Sequence, residues 1–128
     1  MQPLCILTGT VVHGRGVGRR FGLPTANLQP DRGQTLPPTG VYATRTVMNG
    51  QVYTGVTNVG TRPTVDQEQD VTVETHLLDF SGDIYGQRLT VSFYQRLRGL
   101  YRFESTQALR AQIACDEERA RALFAEAL

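Results

Sequence analysis

The chain contains no lysine, so its thirteen basic residues are all arginine. This absence excludes a Walker-type phosphate-binding lysine and any mechanism that uses a lysine Schiff base. The two cysteines, Cys5 and Cys115, stand far apart, with no Cys-x-x-Cys pair and no histidine at metal-ligand spacing. We therefore expect two buried thiols in a reducing cytosol rather than a soft-metal site or a disulfide framework. Any phosphate bound here must contact backbone N–H groups, arginine and a metal ion.

Long apolar runs and a strong excess of charge are missing as well. No run approaches the roughly 20 residues of a membrane span, and the N-terminus lacks the pattern of a secretory signal. A net charge of +1 argues against nonspecific nucleic-acid binding. The 128 residues, 40% of them apolar and 20% charged, predict one soluble cytoplasmic domain over residues 1–128, without a nucleic-acid or membrane partner.

Glycine is concentrated in one loop. Gly14, Gly16 and Gly18 stand at every second position, where backbone N–H groups can approach an anion. Arg19 and Arg20 follow directly and supply charge and forked donors. The pattern favours a phosphate-binding loop, although a solvated loop between two strands has the same composition.

A rigid polar motif, Pro24-Thr25-Ala26-Asn27, comes next. Pro24 fixes φ, and the side-chain oxygens of Thr25 and Asn27 are hard neutral ligands of the kind that Mg²⁺ accepts beside substrate phosphates. The alternative is a turn in which Asn27 bonds its own backbone. Next to the glycine loop, the motif favours the first interpretation.

Most of the chain shows the alternation of β-strands, and Asn49-Gly50 is a type I′ hairpin signal. Residues 22–38 hold most of the proline, together with Gly22 and Gly33, so we expect an extended loop there. The predicted strands cover residues 4–13, 41–47, 52–58, 71–77 and 89–98. In the last of these strands Leu89, Val91, Phe93 and Leu97 alternate with polar residues, which predicts that they share one buried face. Such strands, separated by turn signals, suggest a closed or nearly closed barrel.

The period changes to that of a helix after Ser105, which is a reasonable N-cap. The apolar side of this helix is Leu109, Ile113, Ala120, Leu123 and Phe124. The charged side, which we interpret as solvated surface, is Arg110, Glu117, Glu118, Arg121 and Glu126.

Glu74 is the carboxylate that needs a reason, because it stands mid-strand among Val, Thr and Leu. It shares a face with Thr72 and His76. One interpretation is a solvent-facing strand residue; the other is a general base on a rigid strand, able to accept a proton from a hydroxyl nucleophile. His76 is a second-rank candidate, since a lone histidine is more often structural.

Four further side chains are candidates for ligand contacts. Asn58 and Arg62 belong to a polar segment with Gly and Pro that is either a binding loop or a tight exit turn. Arg98, before Gly99, either reaches a ligand or lies at the surface. Tyr85 either stacks on a ring or closes a turn.

The chain resembles the riboflavin kinase family, and specifically the kinase module at the C-terminal end of bacterial bifunctional FAD synthetases, because the motifs occur in the same order. The matching pieces are Gly9-x-Val11, the loop from Gly14 to Gly22, Pro24-Thr25-Ala26-Asn27, Gly40-Val41-Tyr42, residues 58–64, residues 73–80, Tyr85-Gly86, Phe93, Arg98, Phe103 and Gln112-Ile113-x-x-Asp116. The resemblance covers nearly the whole chain.

The resemblance implies a mainly β fold: a six-stranded antiparallel Greek-key barrel with a C-terminal helix. It implies phosphorylation of riboflavin by ATP and Mg²⁺ to give FMN. Thr25 and Asn27 would bind Mg²⁺ and the nucleotide phosphates, and Glu74 would be the catalytic base. The glycine loop would cover the phosphates, and Arg98 to Phe103 would form a flap over the flavin.

Leu100 departs from the family pattern, which has an acidic residue at this position. This leaves open a flavin- or FMN-binding barrel with weak or no kinase activity, which an FMN-forming assay would separate from a kinase. A nucleic-acid-binding barrel fits poorly with the near-neutral charge. We expect a monomer, or a domain natively fused to an FAD synthetase domain; without that partner domain the chain should not make FAD.

Overall fold

The computed structural model describes residues 1–13, 25–63, 69–100 and 102–126. For residues 62–63, 69–70 and 126 it describes the backbone alone. Within these residues a β-barrel is followed by one long helix. The elements are β1 (Cys5–Val12), β2 (Ala26–Pro30), β3 (Gly40–Met48), β4 (Gln51–Pro63), β5 (Gln69–Leu77), β6 (Arg88–Arg98) and α1 (Thr106–Glu126). No helix in the described ranges is both long and apolar enough to cross a membrane.

The six strands close into a barrel in the order β1-β2-β5-β4-β3-β6, and the strand pairs are antiparallel. Strands β3, β4 and β5 follow one another as hairpin neighbours, and β6 returns to lie beside β3. This arrangement is a Greek key. The predicted six-stranded barrel with a C-terminal helix is confirmed.

The β3–β4 hairpin has the predicted turn. Asn49 has φ of 51° and Gly50 has φ of 79°, as a type I′ turn requires at both central positions. Val47 and Val52 pair directly before and after the turn. The turn therefore fixes the register of the two strands.

The expectation of an uninterrupted loop over residues 22–38 is wrong at β2. Ala26 and Leu28 point inward, and the strand pairs with β1 on one side and β5 on the other. A Cβ at Gly9 would overlap the carbonyl oxygen of Gln29, so glycine permits the close approach of β1 to β2. The strand is short and ends at Pro30, which removes most of the signal that a strand gives in sequence.

The barrel interior is largely apolar but contains a chain of threonine hydroxyl groups. Leu89 and Phe93 are fully buried in the apolar part. Thr57 Oγ1 lies 2.8 Å from Thr44 Oγ1 and 2.7 Å from Thr75 Oγ1, and these three side chains are fully buried as well. These bonds join β3, β4 and β5 on the inner side of the sheet.

Helix α1 covers part of the outer surface of the barrel. Its predicted N-cap is confirmed, since Ser105 Oγ accepts a hydrogen bond of 3.1 Å from the N–H of Ala108. Ala120 and Phe124 are buried against the sheet, and the Arg45 guanidinium lies 4.4 Å from the centre of the Phe124 ring. Burial of a phenylalanine side chain stabilises such a contact by about 1.5–3 kcal/mol.

The face assigned to Leu97 by sequence is wrong. The register of β6 against β3 shifts twice within residues 41–44. Leu97 therefore packs in the cluster beneath α1, whereas Leu89, Val91 and Phe93, with which it was grouped, face the barrel interior. Each shift inserts a residue and reverses the side to which the following side chains point.

The prediction of two buried cysteines is also wrong, because Cys115 is exposed on α1. Cys5 is partly buried, and this burial raises the pKa of its thiol. Its Sγ lies 3.5 Å from the carbonyl oxygen of Thr35. Cys5 accordingly behaves as a small packed side chain.

Candidate active site

Glu74 lies between two asparagines on neighbouring strands. The β2–β5 register pairs Asn27 with Glu74, and the β4–β5 register pairs Asn58 with Glu74. The residues on either side of Glu74, Val73 and Thr75, are buried in the barrel, so Glu74 points to the outer surface. Asn27 and Asn58 likewise stand between buried residues of their own strands, so they also point to the outer surface. Directly opposite side chains in a sheet have Cβ atoms roughly 4.5–5.5 Å apart, so the carboxylate and two amides form one polar row.

A cavity of about 150 Å³ lies at the end of the barrel next to this row. Asn27, on β2, and Thr25, directly before that strand, line one side of it. Phe80 and Tyr85 line it from the β5–β6 connection. Asn27 therefore belongs both to the cavity wall and to the row with Glu74. Glu74 lies beside the cavity and is not among the described residues that line it.

Tyr85 stacks on the ring of His13, a residue of the same chain, and its contact with a ligand stays a prediction. Its ring centre lies 3.7 Å from that of His13, with 14° between the planes. The backbone N–H of Tyr85 donates to Asp83 Oδ1 at 2.9 Å, which fixes the turn that carries it. His13 is a cavity residue that sequence reasoning did not select, because a single histidine at a strand end carries no distinguishing pattern.

Arg98 and Phe103 lie together at the other end of this outer surface. The Arg98 guanidinium is 5.5 Å from the centre of the Phe103 ring. Through the register, Val41 pairs with both Asn58 and Arg98, which places Arg98 in the same cross-strand row as Glu74. Strands lie about 4.8 Å apart, so the Arg98 backbone is roughly 14 Å from Glu74 along the curved sheet.

The charged side of α1 is only partly the solvated surface that the sequence suggested. Glu117 Oε1 lies 3.1 Å from His76 Nε2, and both side chains are partly buried. Asp116 is buried and binds Arg98. His76 therefore has the structural role that we ranked first for a lone histidine, and it ties β5 to the helix.

Several predicted contact residues lie outside the described residues. This applies to Gly14, Gly16, Gly18, Arg19, Arg20 and Pro24, and to the side chain of Arg62. The backbone of Arg62 belongs to β4 and pairs with Asp70, so its segment is the end of a strand rather than a free loop. The roles predicted for these side chains stay predictions.

The oxygen donors of the site suit a hard cation. The Thr25 hydroxyl and the Asn27 amide carbonyl are neutral oxygen ligands, and Mg²⁺ is usually held by few protein oxygens together with substrate phosphates and water. Among the residues that the structure describes, no cluster of three or more His, Cys, Asp or Glu side chains is present. The donor set therefore fits Mg²⁺ held largely by phosphate and water rather than a protein cage.

Comparison with known proteins agrees with this fold. The family model described as "Flavokinase: Riboflavin kinase" matches residues 2–124. A curated relative from Pseudomonas fluorescens, named bifunctional riboflavin kinase/FMN adenylyltransferase, is 47% identical over 119 residues. The match covers 93% of this chain and 38% of that protein. The chain belongs to the riboflavin kinase family.

Two solved structures are similar over nearly the whole chain. The crystal structure of riboflavin kinase from Trypanosoma brucei has a TM-score of 0.67 and 28% identity, covering 97% of this chain and 78% of that one. A crystal structure described as a macrolide-efflux protein from Streptococcus pneumoniae has a TM-score of 0.86 and 36% identity, covering 93% of this chain and 38% of that one. The chain thus spans well under half the length of its bacterial relatives and most of the length of the trypanosomal kinase.

Proposed function

We propose that this chain transfers the γ-phosphate of ATP to the ribityl 5′-hydroxyl of riboflavin, giving FMN and ADP. The observation that supports the proposal most is the row Asn27–Glu74–Asn58 beside the cavity that Thr25 lines. Phosphoryl transfer needs alignment of two substrates and neutralisation of charge more than covalent chemistry from the protein. A carboxylate held on a strand between two amides supplies fixed geometry of this kind.

Glu74 acts as the general base in this proposal. The 5′-oxygen of riboflavin forms a bond to the γ-phosphorus, and the bond from that phosphorus to the oxygen bridging it to ADP breaks. The hydroxyl proton passes to the Glu74 carboxylate. A base placed in this way contributes about 10²–10⁴-fold to the rate.

The neutral polar groups hold the substrates on either side of Glu74. Asn58, exposed on β4, is placed to bond the acceptor alcohol, whereas Asn27 and Thr25 face the cavity and take the nucleotide phosphates. Bound Mg²⁺ would be held by Thr25 and Asn27 and would neutralise charge on the phosphate oxygens. Because these side chains stand on or next to a strand, they keep their positions during the reaction.

The remaining contacts divide between the two substrates. Tyr85 stands at the cavity and serves the nucleotide, while Arg98 and Phe103 serve the flavin at the other end of the row. On the nucleotide side, Arg19, Arg20 and the N–H groups of the glycine loop would replace the phosphate-binding lysine that the chain lacks. Arg62 is the remaining candidate for a phosphate contact.

The decisive assay follows FMN formation by chromatography from riboflavin and ATP, with and without Mg²⁺, and uses Glu74→Gln as the control protein. The proposal expects metal-dependent FMN formation from the unaltered chain and a rate lower by about 10²-fold or more from Glu74→Gln. Riboflavin binding without FMN in either condition would replace the kinase by a flavin-binding barrel. Equal FMN from both proteins would show that Glu74 is not the base.

We also propose the setting in which the kinase works. The bacterial relative's name joins riboflavin kinase to FMN adenylyltransferase, and this chain matches 38% of its length. Residues 1–128 would then be the kinase domain of a cytoplasmic protein whose second domain uses the FMN formed here. Purification of the protein from its own cells, followed by mass measurement and an FAD-forming assay, tests this arrangement.

A further inference from the structure

Asp116 is a buried carboxylate on α1 with both oxygens engaged. It is 1% exposed. Arg98 Nε donates to its two oxygens at 3.1 Å and 3.0 Å, and Arg98 Nη2 donates to Oδ2 at 2.8 Å. Gln112 Nε2 donates to Oδ1 at 3.0 Å. Nothing in the proposed phosphoryl transfer uses this carboxylate directly.

Arg98 in turn holds the chain that follows β6. Its Nη1 donates to the carbonyl oxygen of Gly99 at 3.3 Å, and its guanidinium faces the Phe103 ring. The side chain is 12% exposed. One arginine therefore contacts α1, Gly99 directly after β6 and Phe103.

Leu100, two residues after Arg98, lies against the polar row of the active site. A Cβ built on Gly60 would be 3.6 Å from Leu100 Cδ1 and 3.4 Å from Asn58 Oδ1. Leu100 thus stands over β4 next to Asn58, the direct partner of Glu74. We call Arg98, Gly99, Leu100, Arg102 and Phe103 the acceptor wall, because this part of the chain lies on the Asn58 side of Glu74 and away from the cavity that Thr25 lines.

We propose that Asp116 is a positioning residue for the acceptor substrate, which it serves by fixing Arg98 and, through Arg98, the acceptor wall. A planar guanidinium held by a carboxylate through more than one N–H group has a single preferred orientation, and the shielded surroundings strengthen that preference. Loss of the carboxylate leaves Arg98 free to adopt other rotamers and releases its hold on Gly99 and Phe103. The inference rests on the proposed function, since it needs riboflavin to bind on this side of Glu74.

The test compares Asp116→Asn with Arg121→Gln, a matched control that removes another ion pair between α1 and the barrel, the exposed pair Arg121–Asp79. Steady-state assays give KM for riboflavin and for ATP, flavin fluorescence quenching gives the Kd for riboflavin, and thermal melting reports folding. We expect Asp116→Asn to raise the riboflavin KM and Kd by about tenfold, because small displacements of a positioning group have large effects. The ATP KM should stay within about twofold, and Arg121→Gln should change neither constant.

The double variant Arg98→Met/Asp116→Leu guards against a failure to fold. Replacement of a buried ion pair by apolar side chains of similar size usually keeps the fold, and the same rise in riboflavin KM and Kd is expected. Unchanged riboflavin constants in a folded variant, or an equal rise for ATP and riboflavin, would overturn the positioning role. Absence of FMN from the unaltered chain would instead overturn the proposed function.

Discussion

Asn27 and Glu74 are direct partners across the β2–β5 ladder, and both point away from the barrel interior. Asn27 also lines the cavity that contains Thr25. One residue therefore connects the cavity to the carboxylate that we assign as the base. In the proposed reaction, the nucleotide and the acceptor alcohol would meet at this connection.

Removal of the Asn27 amide should weaken the binding of Mg²⁺ at the proposed site. We expect Asn27→Ala to raise the Mg²⁺ concentration for half-maximal FMN formation by about tenfold, because a neutral oxygen ligand is lost from a site with few protein ligands. Riboflavin Kd should not change. Gln29→Ala, an exposed change on the same strand, is the control, and an equal Mg²⁺ requirement in the two variants would contradict the metal assignment.

Tyr85 should contribute to the binding of the nucleotide and not to the binding of the flavin. Loss of its ring in Tyr85→Ala removes an aromatic surface beside the cavity, and stacking on a base contributes about 1–3 kcal/mol. The ATP KM should rise by about tenfold, with the riboflavin KM unaltered. Tyr85→Phe keeps the ring and should behave like the unaltered chain; a rise in riboflavin KM instead would move Tyr85 to the acceptor side.

The threonine hydroxyl chain should contribute to stability. Thr57→Val leaves the hydroxyl groups of Thr44 and Thr75 buried without their common partner, and we expect a loss of about 2 kcal/mol in the free energy of unfolding. Urea unfolding measures it. Thr46 is the matched comparison, since its buried Oγ1 has no partner among the described residues.

Thr46→Val should be neutral or should raise the free energy of unfolding by up to about 1 kcal/mol, because it removes an unsatisfied buried hydroxyl group. Equal losses in the two valine variants would show that the hydroxyl chain contributes nothing beyond side-chain packing.

Two exposed ion pairs should make a small contribution to the stability of the fold, and this contribution should depend on pH. Hydrogen bonds from Arg88 lower the pKa of Asp31, and hydrogen bonds from Arg121 lower the pKa of Asp79. A carboxyl whose pKa is lower in the folded protein stabilises the fold above its unfolded pKa, and this contribution disappears as the pH falls through the folded pKa. In Arg121→Gln, the pKa of Asp79 measured by NMR should rise while that of Asp31 stays the same; no rise would refute the pairing.

The parts of the fold that sequence predicted were those with local signals. Asn49-Gly50 fixes its hairpin because both residues tolerate positive φ. Glu74 stood out because a charge in the middle of a Val- and Thr-rich strand is unusual. β2 has too few apolar residues to produce a pattern, and it is defined by its partners β1 and β5 instead.

Contacts between distant segments could not be predicted in the same way. Asp116 looks like any other acid on a helix, and only the packing of α1 brings it to Arg98. Leu97 changed face because the register of β6 shifts against β3, and such shifts leave no clear pattern in a single sequence.

The turnover number of Glu74→Gln tests the central claim most directly, because the change removes the base and keeps the shape of the side chain. The account predicts that kcat for FMN formation falls by about 10²-fold or more, with the riboflavin Kd within about twofold of its original value. His76→Gln, on the same strand and face, should keep most of the activity. A Glu74→Gln protein with an undiminished kcat would contradict the account.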